Sequence, residues 1–458
     1  MAKAKTLYVC TECGNDTPRW QGQCPACHAW NTLVEEKVQP AARARGAAAS
    51  TRAAGSGASV PVRLREVEGG EGQRWSTGLD EFDFVLGGGV VPGSVVLVGG
   101  EPGIGKSTIL LQVAARLEAA GRGTLYVSGE ESPLQVKLRA QRLGAPAGEV
   151  TTLAETDLDA ILQHATARQP SVLLVDSIQT VYTPELEGAP GNVGQVRECA
   201  ARLQRYAKES GTAVFLVGHV TKGGGIAGPK TLEHIVDTVL YFEGAGGLDH
   251  RVLRATKNRF GGVDEIGVFR MTAAGLIPVQ NPSELFLGER AQHASGSAVV
   301  PTMEGTRPLL VEVQALATKA PYGAPQRVST GFDHKRLALL LAVLEKRAGL
   351  AFGQLDVFLN VVGGIRIAET AGDAAVAAAL ASSVFDRAVP ADAALLGELG
   401  LGGELRPVGQ VERRLAEAAR MGFATVYLPP KARPARGPQG LTLVEVEDVR
   451  ALLGRLFP

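Results

Sequence analysis

The sequence of 458 residues lacks an excess of either charge and a long apolar run, and its first residues lead us to expect no secretory leader. Lys and Arg together number 47, as do Asp and Glu, which argues against a polybasic nucleic-acid coat and against a disordered acidic tail. The longest uncharged stretch, residues 84–100, contains six glycines and Pro92, so it predicts no transmembrane helix. Residues 1–6 lead into Tyr8 and cysteines rather than into an apolar segment. We therefore expect a folded, multidomain, cytoplasmic protein without a membrane partner.

The sequence also lacks the spread of cysteines that is typical of a disulfide framework. Four of its five cysteines lie within residues 10–27, and the fifth is Cys199. The four form two Cys-x-x-Cys pairs separated by ten residues, and paired knuckles of this kind present the tetrahedral set of thiolates that zinc prefers. We therefore predict a four-cysteine zinc finger whose ligands are Cys10, Cys13, Cys24 and Cys27.

A module of this size buries too little apolar surface to fold without its metal. His28 adjoins the last cysteine, and we interpret it as a bystander because four thiolates already fill the zinc shell. Trp20 and Trp30 are expected to pack over the module, with stacking on a nucleic-acid base as the alternative. The predicted zinc finger spans residues 1–35.

Changes in composition divide the rest of the chain into three parts. Residues 36–65 are rich in Ala, Gly and Ser and carry cations without acids from position 37, which predicts a flexible basic linker that either touches a polyanion or is simply solvated. From 66 to 280, apolar runs of strand length alternate with helical stretches, a pattern typical of an α/β fold with a mainly parallel sheet. Residues 281–458 combine strand runs, Ala- and Leu-rich helices and Gly-rich turns, which predicts a separate α/β domain.

A phosphate-binding motif follows the apolar run VVLVG. Residues 100–107 match G-x-x-x-x-G-K-S and precede a helical stretch. The glycines let backbone N–H groups wrap phosphates at a helix N-terminus, Lys106 reaches the β and γ oxygens, the Ser107 hydroxyl binds Mg²⁺, and Thr108 approaches the α-phosphate. The predicted nucleotide site consists of Gly100, Glu101, Pro102, Gly103, Ile104, Gly105, Lys106, Ser107 and Thr108.

Hydrolysis also needs a carboxylate on the metal side and a base that orients the attacking water. Asp176 ends the apolar run VLLVD and suits the first role. Glu130 follows the run LYVSG and suits the second, with Glu131 as an alternative that the sequence leaves open. Either glutamate also has a plain interpretation as a loop acid.

Three further polar residues are candidates for sensing or stabilising the transferred phosphate. His219 closes the run AVFLVG and would hydrogen-bond the γ-phosphate, unless it is a histidine satisfied within the core. Lys257 and Arg259 are spaced so that a strand would place both on one face. Such cations can reach the γ-phosphate of a neighbouring subunit, which would make hydrolysis depend on assembly, and a solvated basic loop is the alternative.

The four-cysteine module, GEPGIGKST, LLVDS and KNRFG occur in this order and resemble the RadA (Sms) family of bacterial DNA-repair proteins across essentially the whole chain. The resemblance implies a RecA-like ATPase core, related to DnaB-type helicases, that forms a homo-hexameric ring and uses ATP, Mg²⁺ and Zn²⁺. It identifies Lys106 as the Walker lysine, Asp176 as the Walker B acid, Glu130 as the catalytic glutamate, and Lys257 and Arg259 as cations acting across the subunit interface. Members of this family are ATP-driven motors on single-stranded DNA that extend branch migration of recombination intermediates. The implied function is therefore that of a DNA-dependent ATPase in homologous recombination and DNA repair.

The last 180 or so residues resemble the Lon protease domain, but the residues needed for proteolysis are missing. Ala371, within TAGD, takes the place of the serine, and the segment that should carry the lysine reads VGQVE, with Glu412. Without a hydroxyl and an amine there is no activated nucleophile. Ser382 and Ser383 lie in an Ala-rich helical run and are better interpreted as helix surface or packing. We therefore expect this domain, residues 281–458, to be proteolytically inactive and to serve oligomer scaffolding and DNA guidance.

DNA contacts are expected on the loops that face the central channel of RecA-like rings. Here these loops are residues 183–194 and 222–230, the second being Gly-rich with Lys222 and Lys230 at its ends. Backbone N–H groups and lysines would follow phosphates of single-stranded and branched DNA without reading sequence. Arg197 would line the same region. Three other cations of the same helical stretch either line this region as well or form a solvated helix face, namely Arg202, Arg205 and Lys208.

The zinc module would recruit a protein partner, either the RecA recombinase or a helicase-type protein. Two other classes of function stay open at this point. The C-terminal domain suggests an ATP-dependent Lon-like protease, and the core suggests a RecA-like signalling ATPase or autokinase.

Overall fold

The computed structural model describes residues 5–10, 16–26, 28–38, 63, 74–219, 232–244, 249–287, 294–320 and 324–458. The chain divides into two compact units, Met1–Glu243 with Asp249–Pro278, and Gly244–Leu248 with Val279–Pro458. Across the described ranges, no helix is both long enough and apolar enough to cross a membrane.

The N-terminal residues form a small antiparallel sheet. Its strands in the described ranges are β1 Lys5–Cys10, β2 Asp16–Thr17 and β3 Leu33–Val38, paired in the order β2-β1-β3. The buried cluster under this sheet consists of Cys10, Cys24 and Leu33, with Tyr8 packed against it. The apolar cluster formed by the described residues is too small to offset the entropy lost on ordering the module, so we expect the fold to depend on a metal.

Trp20 and Trp30 do not pack inside this module. Their exposed fractions are 58% and 69%. The Trp30 ring lies beside Gly22, whose Cβ would be 3.6 Å from it. The prediction that both indoles pack over the module is wrong, because the small interior that the described residues form, Cys10, Cys24 and Leu33, cannot enclose two large rings.

Residues 74–278 contain the larger sheet of the first unit. Its strands within the described ranges are β4 Val95–Gly100, β5 Thr124–Ser128, β6 Thr151–Ala154, β7 Val172–Asp176, β8 Ala213–Val217, β9 Thr238–Glu243, β10 His250–Asn258, β11 Ile266–Thr272 and β12 Gly275–Pro278. They pair in the order β12-β11-β10-β9-β4-β8-β7-β5-β6. From β9 to β6 every pair is parallel, whereas β10, β11 and β12 extend the sheet with antiparallel pairs. The predicted α/β fold with a mainly parallel sheet is confirmed.

Helices cover both faces of this sheet. They are α1 Asp80–Leu86, α2 Lys106–Ala119, α3 Pro133–Leu143, α4 Leu158–Arg168 and α5 Val193–Ser210. Val96 and Val98 of β4 join the core that contains α1, α2 and α3, while Val95 and Leu97 join the core that contains α4 and α5. A strand buried on both faces is apolar at every position, which is why the central strands are easy to find in the sequence.

Polar side chains fix where the helices begin. Ser132 and Gln135 form a reciprocal capping box at the start of α3. The Asp157 and Asn192 side chains accept hydrogen bonds from backbone N–H groups in the first turns of α4 and α5. These caps provide acceptors for N–H groups that the first turn of a helix leaves without intrahelical partners.

The second unit contains a mixed sheet. Its strands in the ranges that the structure covers are β13 Ser297–Glu304, β14 Arg307–Lys319, β15 Arg327–Thr330, β16 Leu355–Val361, β17 Ala393–Leu395, β18 Glu398–Leu399, β19 Leu405–Arg406, β20 Thr425–Leu428 and β21 Thr442–Glu445. The main sheet has the order β15-β16-β14-β13-β17-β20-β21, and β18 and β19 form a separate hairpin. The helices are α6 Pro282–Leu287, α7 His334–Val343, α8 Asp373–Phe385, α9 Val411–Arg420 and α10 Val449–Leu456.

Helix α8 explains the run of alanines in this unit. Residues 373–382 are all buried, so small side chains let neighbouring strands approach the helix closely. The Ser382 hydroxyl donates to Arg387 O at 2.5 Å and accepts from Gly296 N at 2.8 Å, while Ser383 Oγ accepts from Ala317 N at 2.9 Å. Both hydroxyls therefore serve packing.

A buried ion pair joins α9 to the turn before α8. Arg414, with its side chain 3% exposed, forms two hydrogen bonds of 2.6 Å to the two carboxylate oxygens of Glu369. Glu369 also accepts from Thr302 Oγ1 and Met303 N, each at 2.8 Å. Burial would raise the pKa of Glu369, but the bonds to Arg414 and to these donors lower it below its ordinary value of 4.5.

Replacing Arg414 with methionine should destabilise the second unit by about 3 kcal/mol, because it leaves the Glu369 carboxylate without its cation. Since the pKa of Glu369 is lower in the folded state, the stabilisation is present at neutral pH and is lost as the pH falls through that lowered pKa. Calorimetry of the full chain at several pH values would measure both effects. Arg413→Met, at an exposed neighbouring position, is the control, and an equal loss there would contradict the assignment.

Candidate active site

The phosphate loop connects the end of β4 to the start of α2. Gly100 and Gly105, at its two ends, have φ angles of 149° and 116°. A Cβ on Gly105 would lie 2.8 Å from Met271 Cε, and one on Gly100 would lie 3.0 Å from Phe242 Cβ. Glycine is therefore required at both positions. Residues 101–103 remain exposed in front of the N-terminus of α2, where backbone N–H groups can bind phosphate.

Lys106 is the first residue of α2 and is buried. Its Nζ donates to the carbonyl oxygens of Gly100 and Glu101, each at 2.9 Å. Burial lowers the pKa of Lys106, and the carboxylates of Asp176 and Glu130 act in the opposite direction. The ammonium is therefore held by the loop itself, within electrostatic reach of both predicted acids.

Glu130 lies two residues beyond β5, and its side chain is 46% exposed. Its Oε1 accepts a hydrogen bond from Ser177 Oγ at 2.6 Å and lies 3.2 Å from His219 Nε2. The His219 Nδ1 atom is buried and has no hydrogen-bond partner among the described residues. The structure therefore brings the predicted sensor histidine and the predicted base into contact.

Glu131 is engaged elsewhere. Its carboxylate forms an ion pair with Arg139 of α3. Its backbone N–H donates to Ser128 Oγ at 3.0 Å, and its carbonyl oxygen accepts from the same hydroxyl at 2.8 Å. Of the two glutamates, Glu130 is the better placed candidate for a base.

Gly129 brings the end of β5 against the loop that follows β7. Its N–H donates to Asp176 O at 2.8 Å, and a Cβ on it would lie 1.9 Å from Thr180 Oγ1. Only glycine allows this approach, which places Glu130 beside Ser177.

Asp176 is the last residue of β7 and is 8% exposed. Tyr126 of β5 is fully buried, and its Oη donates to Asp176 Oδ2 at 2.5 Å. Burial and the Asp176 carboxylate raise the pKa of Tyr126 well above its ordinary value of 10.0, so the phenol stays protonated at neutral pH.

Sequence reasoning missed Tyr126, Ser177 and Gly129. Tyr126 has the appearance of an ordinary apolar strand residue, and Ser177 that of a polar residue after a strand. Gly129 and Ser177 directly follow β5 and β7, and this position was the available signal, because the carboxyl ends of neighbouring parallel strands meet at one edge of the sheet. Tyr126 lies within β5, so this signal does not apply to it.

Lys257 and Arg259 both contact the turn before β9. Lys257 lies in β10, and its Nζ donates to Glu233 O at 2.5 Å and to Val236 O at 2.8 Å. Arg259 follows β10, is 51% exposed in its side chain and forms an ion pair of 3.0 Å with Asp237. Burial and the positive charge of Arg259 lower the pKa of Lys257. The two cations therefore face one neighbouring segment, although only Lys257 lies within the strand.

The predicted DNA-contacting residues are described in part. Lys222 and Lys230 lie outside the described residues, and Arg197 is exposed on α5. Arg202 forms ion pairs with Asp159 and, at 3.7 Å, with Glu185.

The loop at residues 183–194 carries acids rather than cations. Gln195, which is 2% exposed, fixes it through hydrogen bonds to the backbone of Thr183, Leu186 and Gly188. Glu185 and Glu187 are both exposed on it. A loop without cations offers phosphates only neutral donors, namely backbone N–H groups and the Asn192 side-chain amide.

The predicted zinc ligands are also described in part. Cys10 and Cys24 are fully buried in one cluster, and Cys13 and Cys27 lie outside the described residues. Two buried thiols together in a module with little other core are consistent with a zinc site.

The position of the Lon-type serine holds no nucleophile. Ala371 lies in a turn before α8 and is 1% exposed, and Glu412 is exposed in the first turn of α9. The hydroxyls of Ser382 and Ser383 bond to backbone groups.

The residues present fit the expected cofactors. Ser107 and Thr108 are half-buried at the start of α2, next to an open loop of exposed backbone, and Asp176 offers a carboxylate at the end of a central strand. This donor set suits Mg²⁺ with a nucleoside triphosphate, and the buried thiols suit zinc. The cofactors are ATP, Mg²⁺ and Zn²⁺.

Three parts of the chain match known protein families. Residues 8–35 match the rubredoxin metal binding domain, residues 80–225 match the AAA domain, and residues 351–449 match the Lon protease (S16) C-terminal proteolytic domain. Among solved structures, the RadB recombinase is similar at 23% identity with a TM-score of 0.36, over 45% of this chain and 99% of that chain.

Proteins described as DNA repair protein RadA are similar over essentially the whole length. The protein from Pseudomonas aeruginosa is 51% identical over 100% of both chains, the one from Bacillus subtilis is 49% identical over 99% of both, and the one from Salmonella typhimurium is 48% identical over 98% of both. Such identity over nearly the whole of both sequences, together with the matches to a metal binding domain, an AAA domain and a Lon C-terminal domain, shows that this chain belongs to the RadA family of DNA repair proteins.

Proposed function

We propose that the protein is a DNA-dependent ATPase that works as a homo-hexameric ring on single-stranded DNA and promotes branch migration of recombination intermediates. The observation that carries the proposal is the grouping of Lys106, Asp176 and Glu130 around one phosphate loop, at the carboxyl ends of strands in one parallel sheet. The relatives' description as DNA repair proteins supports DNA as the partner.

Each of these residues would have a distinct part in hydrolysis. Lys106 would exchange its two loop carbonyls for phosphate oxygens, and Ser107 and Asp176 would hold the metal. Mg²⁺, when bound, neutralises charge on the β and γ phosphates. Glu130, which is open to solvent, would orient the attacking water and accept its proton. His219, in contact with Glu130, would sense the γ-phosphate.

Lys257 and Arg259 would act on the nucleotide of a neighbouring subunit. Their present partners are backbone carbonyls and one carboxylate of a single turn, which a phosphate can replace. Because cations supplied from a neighbour stabilise charge on the transferring phosphoryl group, hydrolysis would depend on ring assembly.

Binding of single-stranded and branched DNA would be local and dependent on salt. Lys222, Lys230 and exposed Arg197 are the proposed phosphate contacts. The zinc module would instead bind RecA or a helicase-type protein. Its two exposed indoles, Trp20 and Trp30, support this assignment because tryptophan is enriched in protein interfaces.

We also propose the division of the chain into a zinc finger at 1–35, a flexible basic linker at 36–65, an ATPase domain at 66–280 and a Lon-like domain at 281–458. The last would be proteolytically inactive and would scaffold the ring, since a buried alanine stands where a nucleophile is required.

The test is ATP hydrolysis by the full chain with and without single-stranded DNA. We expect DNA to raise the rate, and Lys106→Ala to reduce it at least about 10²-fold through loss of phosphate stabilisation. Lys137→Ala, at an exposed position on α3, is the matched control and should leave the rate unchanged.

Extension of a three-stranded recombination intermediate with and without ATP then tests the motor. An equal rate of ATP hydrolysis with and without single-stranded DNA would exclude a DNA-dependent ATPase. DNA-stimulated hydrolysis without ATP-dependent extension would exclude branch migration.

A further inference from the structure

Tyr126 has a contact that core packing does not require. Its ring belongs to the core on one face of the ATPase sheet, where phenylalanine would fill the same space. A buried hydroxyl destabilises a fold unless it is hydrogen-bonded. Here the hydroxyl donates to Asp176 Oδ2 at 2.5 Å.

The geometry of the sheet makes this contact possible. In the parallel pair of β5 with β7, Ser128 lies opposite Asp176 and Tyr126 lies opposite Leu174. Tyr126 is therefore a diagonal neighbour of Asp176, two residues back along β5, at a distance that a long aromatic side chain spans.

The contact fixes one oxygen of a nearly buried carboxylate. With Oδ2 committed to the phenol, the orientation of the carboxylate is set, and Oδ1 is the oxygen left to serve a metal. Groups that hold a metal-binding carboxylate in this way typically change metal affinity or activity by about 10- to 100-fold when they are removed.

We propose that Tyr126 is a positioning residue that orients the Asp176 carboxylate toward the magnesium of bound Mg·ATP. This inference rests on the proposed role of Asp176 in binding the metal. It adds a residue from a different strand, one that never touches the nucleotide.

The test uses Tyr126→Phe in the full-length protein. Binding of a fluorescent ATP analogue is titrated with Mg²⁺ and compared with binding in EDTA, and kcat is measured at saturating Mg²⁺. We expect the half-saturating Mg²⁺ concentration to rise by about tenfold or more, with nucleotide affinity in EDTA unchanged. If the Tyr126 hydroxyl only stabilised the core, its removal would not raise the half-saturating Mg²⁺ concentration while leaving nucleotide affinity in EDTA unchanged.

Two controls separate the possible causes. Tyr206→Phe removes a hydroxyl from a half-buried tyrosine in the last part of α5, on the other side of the sheet from the core that holds Tyr126, and should leave Mg²⁺ dependence unchanged. Asp176→Asn should raise the half-saturating Mg²⁺ concentration more than Tyr126→Phe does, and the double variant should raise it no further than Asp176→Asn alone.

The outcomes distinguish this inference from the proposed function. A midpoint for Tyr126→Phe within twofold of wild type, with Asp176→Asn impaired, would overturn the positioning role alone. Normal Mg²⁺ dependence in Asp176→Asn would overturn the assigned role of Asp176 itself. A Tyr126→Phe protein that fails to fold would assign the hydroxyl to core stability and would also overturn the proposal.

Discussion

Replacing Glu130 with glutamine is expected to lower kcat for ATP hydrolysis by about 10²–10⁴-fold, the usual contribution of a general base. Glutamine has nearly the same shape, and its amide oxygen can still accept the hydrogen bond from Ser177. It cannot accept a proton from water. Binding of a fluorescent ATP analogue should therefore be retained while single-turnover hydrolysis is lost.

Glu131→Gln is the matched control for this experiment. The Glu131 carboxylate forms an ion pair with Arg139 on α3. Its replacement should remove this ion pair and leave the rate of ATP hydrolysis within a few-fold of wild type. The opposite pattern, with Glu131→Gln inactive and Glu130→Gln active, would identify Glu131 as the general base. The sequence left these two residues undecided, and this pair of variants decides between them.

Replacing Cys10 with serine is expected to remove the bound zinc and unfold the N-terminal module. The described core of this module is Cys10, Cys24 and Leu33 with Tyr8 beside it, which is too small to hold β1 against β3 without a metal. Zinc content by atomic absorption should fall from about one ion per chain to none. Limited proteolysis should then cut within residues 5–38, while the thermal transition of the ATPase core is unchanged.

Cys199→Ala provides the control for zinc content. Cys199 is a fully buried thiol on α5 whose pKa is raised to about 12 by burial, so it is a packing residue. Its replacement should leave zinc bound. Retention of zinc in Cys10→Ser, or its loss in Cys199→Ala, would contradict the assignment of the metal to the Cys-x-x-Cys pairs.

The sheet was largely predictable because β4, β5, β7, β8 and β9 are central parallel strands. Strands buried on both faces are apolar along their length, and that pattern is visible without any knowledge of neighbours. The antiparallel extension β10–β12 and the short strands of the second unit alternate in burial or contain few residues, so they give a weaker signal.

The exposure of Trp20 and Trp30 was not predictable from residue type. Large aromatic residues are usually buried, and the prediction followed that tendency. Whether a module can enclose them depends on the size of its interior, which in the part of the chain that the structure describes consists of Cys10, Cys24 and Leu33.

The sequence by itself determined the chemistry that this protein carries. The phosphate loop is a local motif, and the zinc knuckles are local pairs, so both are complete within a few consecutive residues. Contacts between distant positions were decided only by the tertiary structure. Tyr126 meets Asp176 across 50 residues, Ser177 meets Glu130 across 47, and His219 meets Glu130 across 89. Because parallel strands that are far apart in sequence end at the same edge of the sheet, the environment of each carboxylate is set by strand order.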